Sequence, residues 1–199
     1  SSADPAASAS RLLLFTGVSG LARVAGRYDF FAQCVCQDKE AYRKFIEAGW
    51  NGLGGQPEYG GQGLPHLIAT PVQEIWKSAN MALCLAPMLT SGVFEALRHH
   101  GSPQQQQTYL PKLTSGEWSG TMNLTEPQAG SDLSAVSTRA EREGDHYRIR
   151  GTKIFITWGE HDMAEQIVHL VLARTPGAPD GTRGISCFIV PKFLMNADG

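Results

Sequence analysis

The segment Met122-Asn-Leu-Thr-Glu-Pro-Gln-Ala-Gly-Ser-Asp132 is the most informative stretch of this 199-residue chain. It begins as a short strand and runs into a turn rich in Thr, Ser, Asp and Gly, which are residues that satisfy the backbone groups of turns. Such a turn needs no ligand. Alternatively, Leu124 and Thr125 present backbone groups and a hydroxyl to a heteroaromatic ligand, while Ser131 bonds a second polar partner. Both interpretations are open at this point.

A second segment, Lys153-Ile-Phe-Ile-Thr-Trp-Gly159, is β-branched and aromatic and predicts a strand over 153–157. In a strand, Phe155 and Thr157 share one face, because side chains alternate. One ring and one hydroxyl so arranged could stack on and hydrogen-bond a planar cofactor. Alternating strand residues also occur without any ligand, so this pattern alone does not decide between the two interpretations.

Helices are predicted on the amino-terminal side of a junction near Glu117. Residues 39–50 form an amphipathic pattern, and residues 64–100 predict two helices separated near Ala86-Pro87. Ser102-Pro-Gln-Gln105 has the composition of a capping box, so we expect a further helix from there to about residue 116.

Strands are predicted on the carboxyl-terminal side. Residues 138–143 and 146–150 predict a hairpin whose turn is Gly144-Asp145. Residues 167–173 and 185–190 are near-continuous apolar runs, typical of strands covered on both faces.

The glycine-rich run 52–63 is a loop, since six glycines and a proline in twelve residues cannot hold regular structure. It lacks Gly-Lys-Ser/Thr and follows no clear strand, so neither nucleotide-binding fingerprint is met.

Composition sets the broad class. The chain is 42% hydrophobic and 18% charged, with a formal charge of −2, which is typical of a globular protein and argues against a nucleic-acid partner. The four cysteines, Cys34, Cys36, Cys84 and Cys187, predict neither a disulfide framework nor a metal site. We find no apolar run of the roughly 18 residues that a membrane span needs, so we expect no membrane-spanning segment.

The amino end stands apart. Residues 1–10 have the composition of a linker or tag, and 11–28 weakly resemble an organelle presequence or a degenerate signal peptide, although an ordinary helix or extension explains them better. We therefore expect three parts: an extension over 1–37, a helical domain over 38–117 and a strand domain over 118–199.

The motifs together resemble the acyl-CoA dehydrogenase family. The resemblance rests on the segment 122–132, on Gly151-Thr-Lys-Ile-Phe-Ile-Thr157 and on Leu172-Ala-Arg174. Pro57-Glu-Tyr-Gly-Gly-Gln-Gly63 and Tyr109-Leu-Pro-Lys-Leu113 add to it in the helical half. The segment 122–132, together with residues 156–162 and 190–193, is similar to a bacterial subgroup of larger chains, some of which act on 3-methylthiopropanoyl-CoA or other acyl-CoAs.

The resemblance implies an α+β fold, with an N-terminal α-helical domain followed by a β-barrel-like or β-sandwich middle domain. It also implies FAD as cofactor and an acyl-CoA as substrate. The residues that match the family's flavin contacts are Met122, Leu124, Thr125, Phe155 and Thr157, and Ser131 matches the CoA contact. Phe155 stands where Trp is more usual, and Trp158 stands where many members have Asn.

The family's catalytic base is a Glu in a carboxyl-terminal helical domain that these 199 residues do not include. Glu126, Glu160 and Glu165 do not match its position, so we nominate no catalytic residue. We expect a piece of an acyl-CoA dehydrogenase, inactive alone, whose parent is a cytoplasmic homodimer or homotetramer that passes electrons to an electron-transfer flavoprotein or another acceptor. The alternative is a non-catalytic flavin- or CoA-binding module with the same fold.

Overall fold

A computed structural model describes residues 18–22, 31–34 and 39–194. Four α-helices lie in this part of the chain: α1 (Lys39–Glu47), α2 (His66–Ala79), α3 (Met81–His100) and α4 (Pro103–Ser115). Seven strands are described: β1 (Val18–Ala22), β2 (Phe31–Cys34), β3 (Trp118–Asn123), β4 (Arg139–Glu143), β5 (His146–Arg150), β6 (Gln166–Arg174) and β7 (Ile185–Pro191). The change from helix to strand thus falls between Ser115 and Trp118. Apart from β1 and β2, the predicted extension over 1–37 lies outside the described residues.

Strand β6 is the centre of a five-stranded mixed sheet. It pairs in parallel with β3 and antiparallel with β7 on its other edge. The β4–β5 hairpin joins at the end of β6, where Arg139 is in register with Arg174. The rings of Tyr147 on β5 and Phe188 on β7 lie 5.0 Å apart, so the sheet is curled. The described strands form no closed barrel, and the α+β class is confirmed.

One hydrophobic core joins the helices to the sheet. Its buried members come from α3, α4, β3 and β6: Val93, Phe94, Leu97, Tyr109, Leu110, Leu113, Trp118, Val168 and Leu170. A Cβ at Gly120 would lie 2.7 Å from the Val93 side chain, so α3 packs directly against the β3 backbone. The Thr90 hydroxyl accepts a hydrogen bond of 3.1 Å from the Gly120 amide, which fixes the same contact. The strand that leads into the segment 122–126 is therefore held by α3.

Local sequence signals account for one helix start and miss another. The capping box is confirmed, since Ser102 Oγ accepts from the Gln105 amide and Gln105 Oε1 accepts from the Ser102 amide. The predicted helix break near Ala86-Pro87 is wrong, because both residues lie inside α3. The break falls at Asn80, whose extended backbone and side-chain bond to the Leu83 amide start α3.

By length and composition alone, α3 is the one described helix that could cross a membrane. The sequence-based expectation of no such apolar stretch is therefore wrong by this criterion. In the structure, Val93, Phe94 and Leu97 of this helix belong to the hydrophobic core. A buried core helix passes the same test as a membrane span.

Two strand predictions need correction. Residues 153–157 form no strand, because Phe155 has a left-handed backbone conformation with φ 55°. Strand β7 forms where residues 185–190 predict it, but it is not covered on both faces, since none of its residues is buried. Strand β6, which has neighbours on both edges, is buried along most of its length as predicted. The hairpin of β4 and β5 around Gly144-Asp145 is confirmed.

The glycine-rich loop is a folded turn that packs on the end of α4. Its two arms are joined by bonds from the Gln62 amide to the Gly52 carbonyl and from the Gly63 amide to the Gly55 carbonyl. A Cβ at Gly61 would lie only 2.1 Å from the carbonyl carbon of Gly55. The glycine content therefore permits close backbone approach between the arms of the loop.

Replacing Gly61 with Ala should lower the free energy of unfolding by roughly 3 kcal/mol, because backbone rather than a flexible side chain blocks the new methyl group. Gly92→Ala is the matched control, since Gly92 lies inside α3 and, apart from its chain neighbours and the helix's own backbone, no atom lies within 4 Å of the position that its new methyl group would take. The control should raise stability by about 0.5–1 kcal/mol. Urea unfolding measures both, and equal stabilities would contradict this packing.

Candidate flavin and CoA site

The two motif segments, 122–132 and 151–158, lie against each other although residues 133–150 separate them in sequence. The Ile154 amide donates to the Thr125 carbonyl at 3.0 Å. The Thr121 hydroxyl, which is buried, donates to the Thr157 carbonyl at 2.7 Å. These two bonds bring the end of β3 and the loop 151–158 together, so candidates from both segments lie in one region.

A buried ion pair between Glu126 and Lys153 joins the same segments. Lys153 Nζ lies 2.8 Å from Glu126 Oε1 and also donates to the Leu124 carbonyl at 2.9 Å. The Glu126 side chain is only 2% exposed and that of Lys153 only 9%. One lysine thus contacts both the carboxylate and the backbone of the neighbouring segment.

The carboxylate of Glu126 is fully hydrogen-bonded. Oε1 accepts from the amide and hydroxyl of Thr138, and Oε2 accepts from the amide and hydroxyl of Ser137 and from the Gln128 side chain. Burial by itself would raise the pKa of Glu126, but the hydrogen bonds from Lys153, Thr138 and Ser137 outweigh it and hold that pKa well below its ordinary value. Glu126 is therefore a structural anion and a poor base.

The five flavin candidates differ in what they offer. Phe155 is 89% exposed and Met122 is 40% exposed, so each presents an apolar surface. Leu124 and Thr125 are half-buried, and their carbonyls accept bonds from Lys153 and Ile154. Thr157 is exposed. Among the described residues, no hydrogen bond involves the hydroxyl of Thr125 or of Thr157.

The loop 151–158 departs from the predicted strand because two of its residues are left-handed. Phe155 has φ 55° and Trp158 has φ 53°, a region that side chains other than Gly and Asn rarely adopt. Phe155 and Thr157 therefore do not alternate across a pleated strand, and the prediction of a shared strand face is wrong. They remain neighbours on an irregular loop next to β3.

Ser131 lies on a separate turn. It is exposed, and no hydrogen bond joins it to either flavin segment among the described residues. The next residue, Asp132, caps a short 3₁₀ turn by accepting from the Ser134 amide, which fixes the turn that follows. Arg174 supports this region from β6 through its bonds to the Ser134 and Val136 carbonyls.

Two family models match the chain. The acyl-CoA dehydrogenase N-terminal domain matches residues 21–117, and the acyl-CoA dehydrogenase middle domain matches residues 121–199. The chain belongs to the acyl-CoA dehydrogenase family. The first match includes residues 21–37, although the motifs on which the resemblance rests begin only at Pro57.

Relatives and solved structures agree with this assignment. The chain is 55% identical over 162 residues to 3-methylmercaptopropionyl-CoA dehydrogenase of Ruegeria pomeroyi, covering 81% of this chain and 28% of the relative. It resembles the crystal structure of acyl-CoA dehydrogenase from Geobacillus kaustophilus, with TM-score 0.69 and 32% identity over 78% of this chain and 40% of that one. It also resembles glutaryl-CoA dehydrogenase from Mycobacterium smegmatis in complex with FADH2, with TM-score 0.64, 27% identity and coverage of 77% and 37%. The chain thus spans less than a third of the Ruegeria relative.

Sequence reasoning misses three residues that bond or pack against the segments carrying the flavin candidates, namely Lys153, Trp158 and His161. The sequence pattern gives Lys153 no role beyond its place in a predicted strand. A lysine whose ammonium group is buried nevertheless needs a buried anion as its partner, which is a signal that could have indicated Glu126. Trp158 and His161 are not among the predicted site residues, and their rings lie 4.9 Å apart beside the loop. Trp158 bonds Ala82 and His161 bonds Ser119, and no local sequence pattern signals these tertiary contacts.

A cavity of about 120 Å³ lies in the helical half of the chain, away from these segments. Its lining includes Trp50, Trp76, Cys84, Met88, Phe94 and Leu113, and none of the flavin or CoA candidates. The flavin and CoA candidates therefore lie outside this cavity, which is a gap between helices.

The pH dependence of stability tests the role of Glu126. Because its folded-state pKa is depressed, the carboxylate stabilises the fold above its ordinary pKa of 4.5, and that stability is lost as the pH falls below it. Glu126→Gln should lower the free energy of unfolding by about 3 kcal/mol near neutral pH, since it leaves the Lys153 charge buried without its counterion.

The difference between wild type and Glu126→Gln should shrink as the pH falls below 4.5. Glu160→Gln is the control, because the Glu160–Lys192 pair is exposed on the Glu160 side, and it should change stability little at any pH. Urea unfolding over this pH range measures both variants. A Glu126→Gln effect that stays constant with pH would refute the assignment.

Proposed function

We propose that this chain supplies the FAD-contacting face and a CoA contact of an enzyme that oxidises an acyl-CoA to the 2,3-enoyl-CoA. The observation that carries the proposal is the convergence of 121–126 and 151–158, which brings into one region two apolar surfaces and two hydroxyls that bond no other described residue. A planar ring system with polar edges fits such a set, because an apolar face needs covering and the ring's edges need donors. FAD meets both requirements.

Four of the five flavin candidates contact the cofactor through their side chains in this proposal, while the Leu124 carbonyl accepts a hydrogen bond from Lys153. When bound, FAD supplies the acceptor for the hydride that leaves the β-carbon of the thioester. The Phe155 ring and the Met122 side chain cover the apolar surface of the cofactor and exclude water. The hydroxyls of Thr125 and Thr157 donate hydrogen bonds to its polar edge and orient it. Oriented donors of this kind stabilise negative charge as it develops.

The base that takes the α-proton is proposed to lie outside these 199 residues. Glu126 is ruled out by its hydrogen bonds and its lowered pKa. The Glu160 carboxylate is paired with Lys192, an interaction that lowers its pKa, and Glu165 is exposed beside β6. We therefore expect the chain to bind its ligands without turnover, and an added acyl-CoA to leave its bound flavin oxidised.

The finer details of the reaction are also proposals. The 55% identity to 3-methylmercaptopropionyl-CoA dehydrogenase supports a short acyl-CoA with a thioether as the substrate of the parent protein. An electron-transfer flavoprotein or another acceptor would reoxidise the flavin. We further propose a homodimer or homotetramer in the cytoplasm for the parent.

Titration of the 199-residue chain with FAD tests the cofactor assignment. We expect saturable quenching of flavin fluorescence, and Thr157→Ala should weaken binding about fivefold, since it removes one hydrogen bond to the ring edge. Thr152→Ala is the matched control, because Thr152 is an exposed threonine of the same loop outside the candidate set. Absence of binding by the wild-type chain would reject the proposal, and equal effects of the two variants would remove Thr157 from the site.

The role of Ser131 is tested in a longer protein that includes the base. Ser131→Ala should raise the KM for the CoA ester about threefold to tenfold and leave the flavin content unchanged, because the hydroxyl contacts substrate and not cofactor. Ser134→Ala serves as a neighbouring control, since its hydroxyl bonds Asp132 within the turn. Loss of FAD from Ser131→Ala with unchanged KM would contradict this role.

A further inference from the structure

Trp158 connects the loop 151–158 to the helical half of the molecule. Its indole Nε1 donates to the Ala82 carbonyl in the first turn of α3 at 2.9 Å, a bond between residues 76 positions apart. Its ring stacks on Tyr42 of α1, with centroids 6.1 Å apart and an interplanar angle of 27°. Tyr42 is itself buried, at 2% exposure, so the stacking surface is fixed. Two helices therefore hold this one side chain.

A third contact comes from His161. Its ring meets the Trp158 ring edge-on at 4.9 Å. His161 Nδ1 accepts from the Met163 amide, so Nε2 carries the proton and donates to the hydroxyl of buried Ser119 on β3. The position of the histidine ring is therefore set by the sheet, and the histidine in turn borders the tryptophan.

The contacts of the Trp158 side chain with Ala82, Tyr42 and His161 form a clamp, and the backbone of Trp158 explains why this clamp is needed. Its φ of 53° places a bulky residue in the left-handed region, which is disfavoured unless surrounding contacts hold it there. The preceding residue is Thr157, whose carbonyl is bonded to Thr121 and whose hydroxyl belongs to the candidate flavin site. A change in the turn at 158 would move that hydroxyl.

We infer that Trp158 is a positioning residue for the flavin site: its indole, held by Ala82, Tyr42 and His161, maintains the left-handed turn that places Thr157. This inference rests on the proposed function for its link to FAD. The helical half thereby acts on the cofactor face through one side chain. The contacts predict that removing the indole weakens cofactor binding even though the indole is not itself among the flavin contacts.

Two substitutions distinguish the effect of losing the indole contacts from the effect of losing the left-handed turn at residue 158. Trp158→Ala removes the clamp and keeps a residue that disfavours the left-handed region, so we expect FAD binding to weaken about tenfold. Trp158→Asn also removes the clamp, but Asn tolerates left-handed φ, so its affinity should recover to within about threefold of wild type. Trp50→Phe is the control, since Trp50 packs edge-on against Trp76 in the helical half and should leave FAD affinity unchanged.

FAD itself is the probe, and fluorescence titration of the full 199-residue chain gives the affinities at a temperature where thermal unfolding shows every variant folded. Wild-type affinity in Trp158→Ala, or equal losses in Ala and Asn, would overturn the inference.

Amide hydrogen exchange of the cofactor-free chain keeps this test separate from the proposed function. Trp158→Ala should exchange faster than wild type over 153–159, and Trp158→Asn should exchange like wild type. If the wild-type chain binds no FAD, the proposed function fails, and this exchange pattern still decides whether Trp158 holds the turn. Unchanged exchange in Trp158→Ala would overturn the inference on its own.

Discussion

The buried pair of Glu126 and Lys153 is the interaction on which the site depends. A carboxylate and an ammonium group removed from water are costly unless each is fully hydrogen-bonded, and here the carboxylate accepts bonds from five groups besides the lysine. The lysine in turn binds the carbonyl of Leu124. The charge pair therefore selects one arrangement of the two segments, and the hydroxyls and apolar side chains of the site follow from that arrangement.

Around this pair, the molecule holds the loop 151–158 from three directions. The sheet contributes Thr121 directly and Ser119 through His161, the α3 helix contributes the Ala82 carbonyl and α1 contributes Tyr42. Such redundancy is what two left-handed non-glycine residues require, since strained backbone persists only where its surroundings determine it. The exposed Phe155 ring is thus displayed by a loop whose own backbone is fixed.

The sequence predicts the features of this fold that depend on neighbouring residues. The capping box at Ser102 and the turn at Gly144-Asp145 depend on a few adjacent side chains, and both are found where predicted. The predicted helix break is misplaced because it is assigned to Pro87, a residue that often interrupts helices. The true break depends on the hydrogen bond from the Leu83 amide to the Asn80 side chain, and the sequence alone does not single out Asn80 among the possible caps. Residues 153–157 resemble a strand in sequence because they are β-branched and aromatic. The bond from Thr121 of β3 to Thr157 and the bond from Trp158 to α3 fix a loop instead, and no local pattern reveals these contacts. The family resemblance supplies the candidate site residues, and the structure shows the contacts between the segments that carry them.

The position of FAD on the two converging segments, and not in the cavity between the helices, is the point on which the proposed function turns. Amide hydrogen exchange of the chain with and without FAD tests it most directly, because exchange reports on each segment separately. We expect FAD to protect peptides covering 121–126 and 152–159 and to leave peptides from α2, which lines the cavity, unchanged. Protection confined to α2, or protection of only one of the two segments, would contradict this assignment.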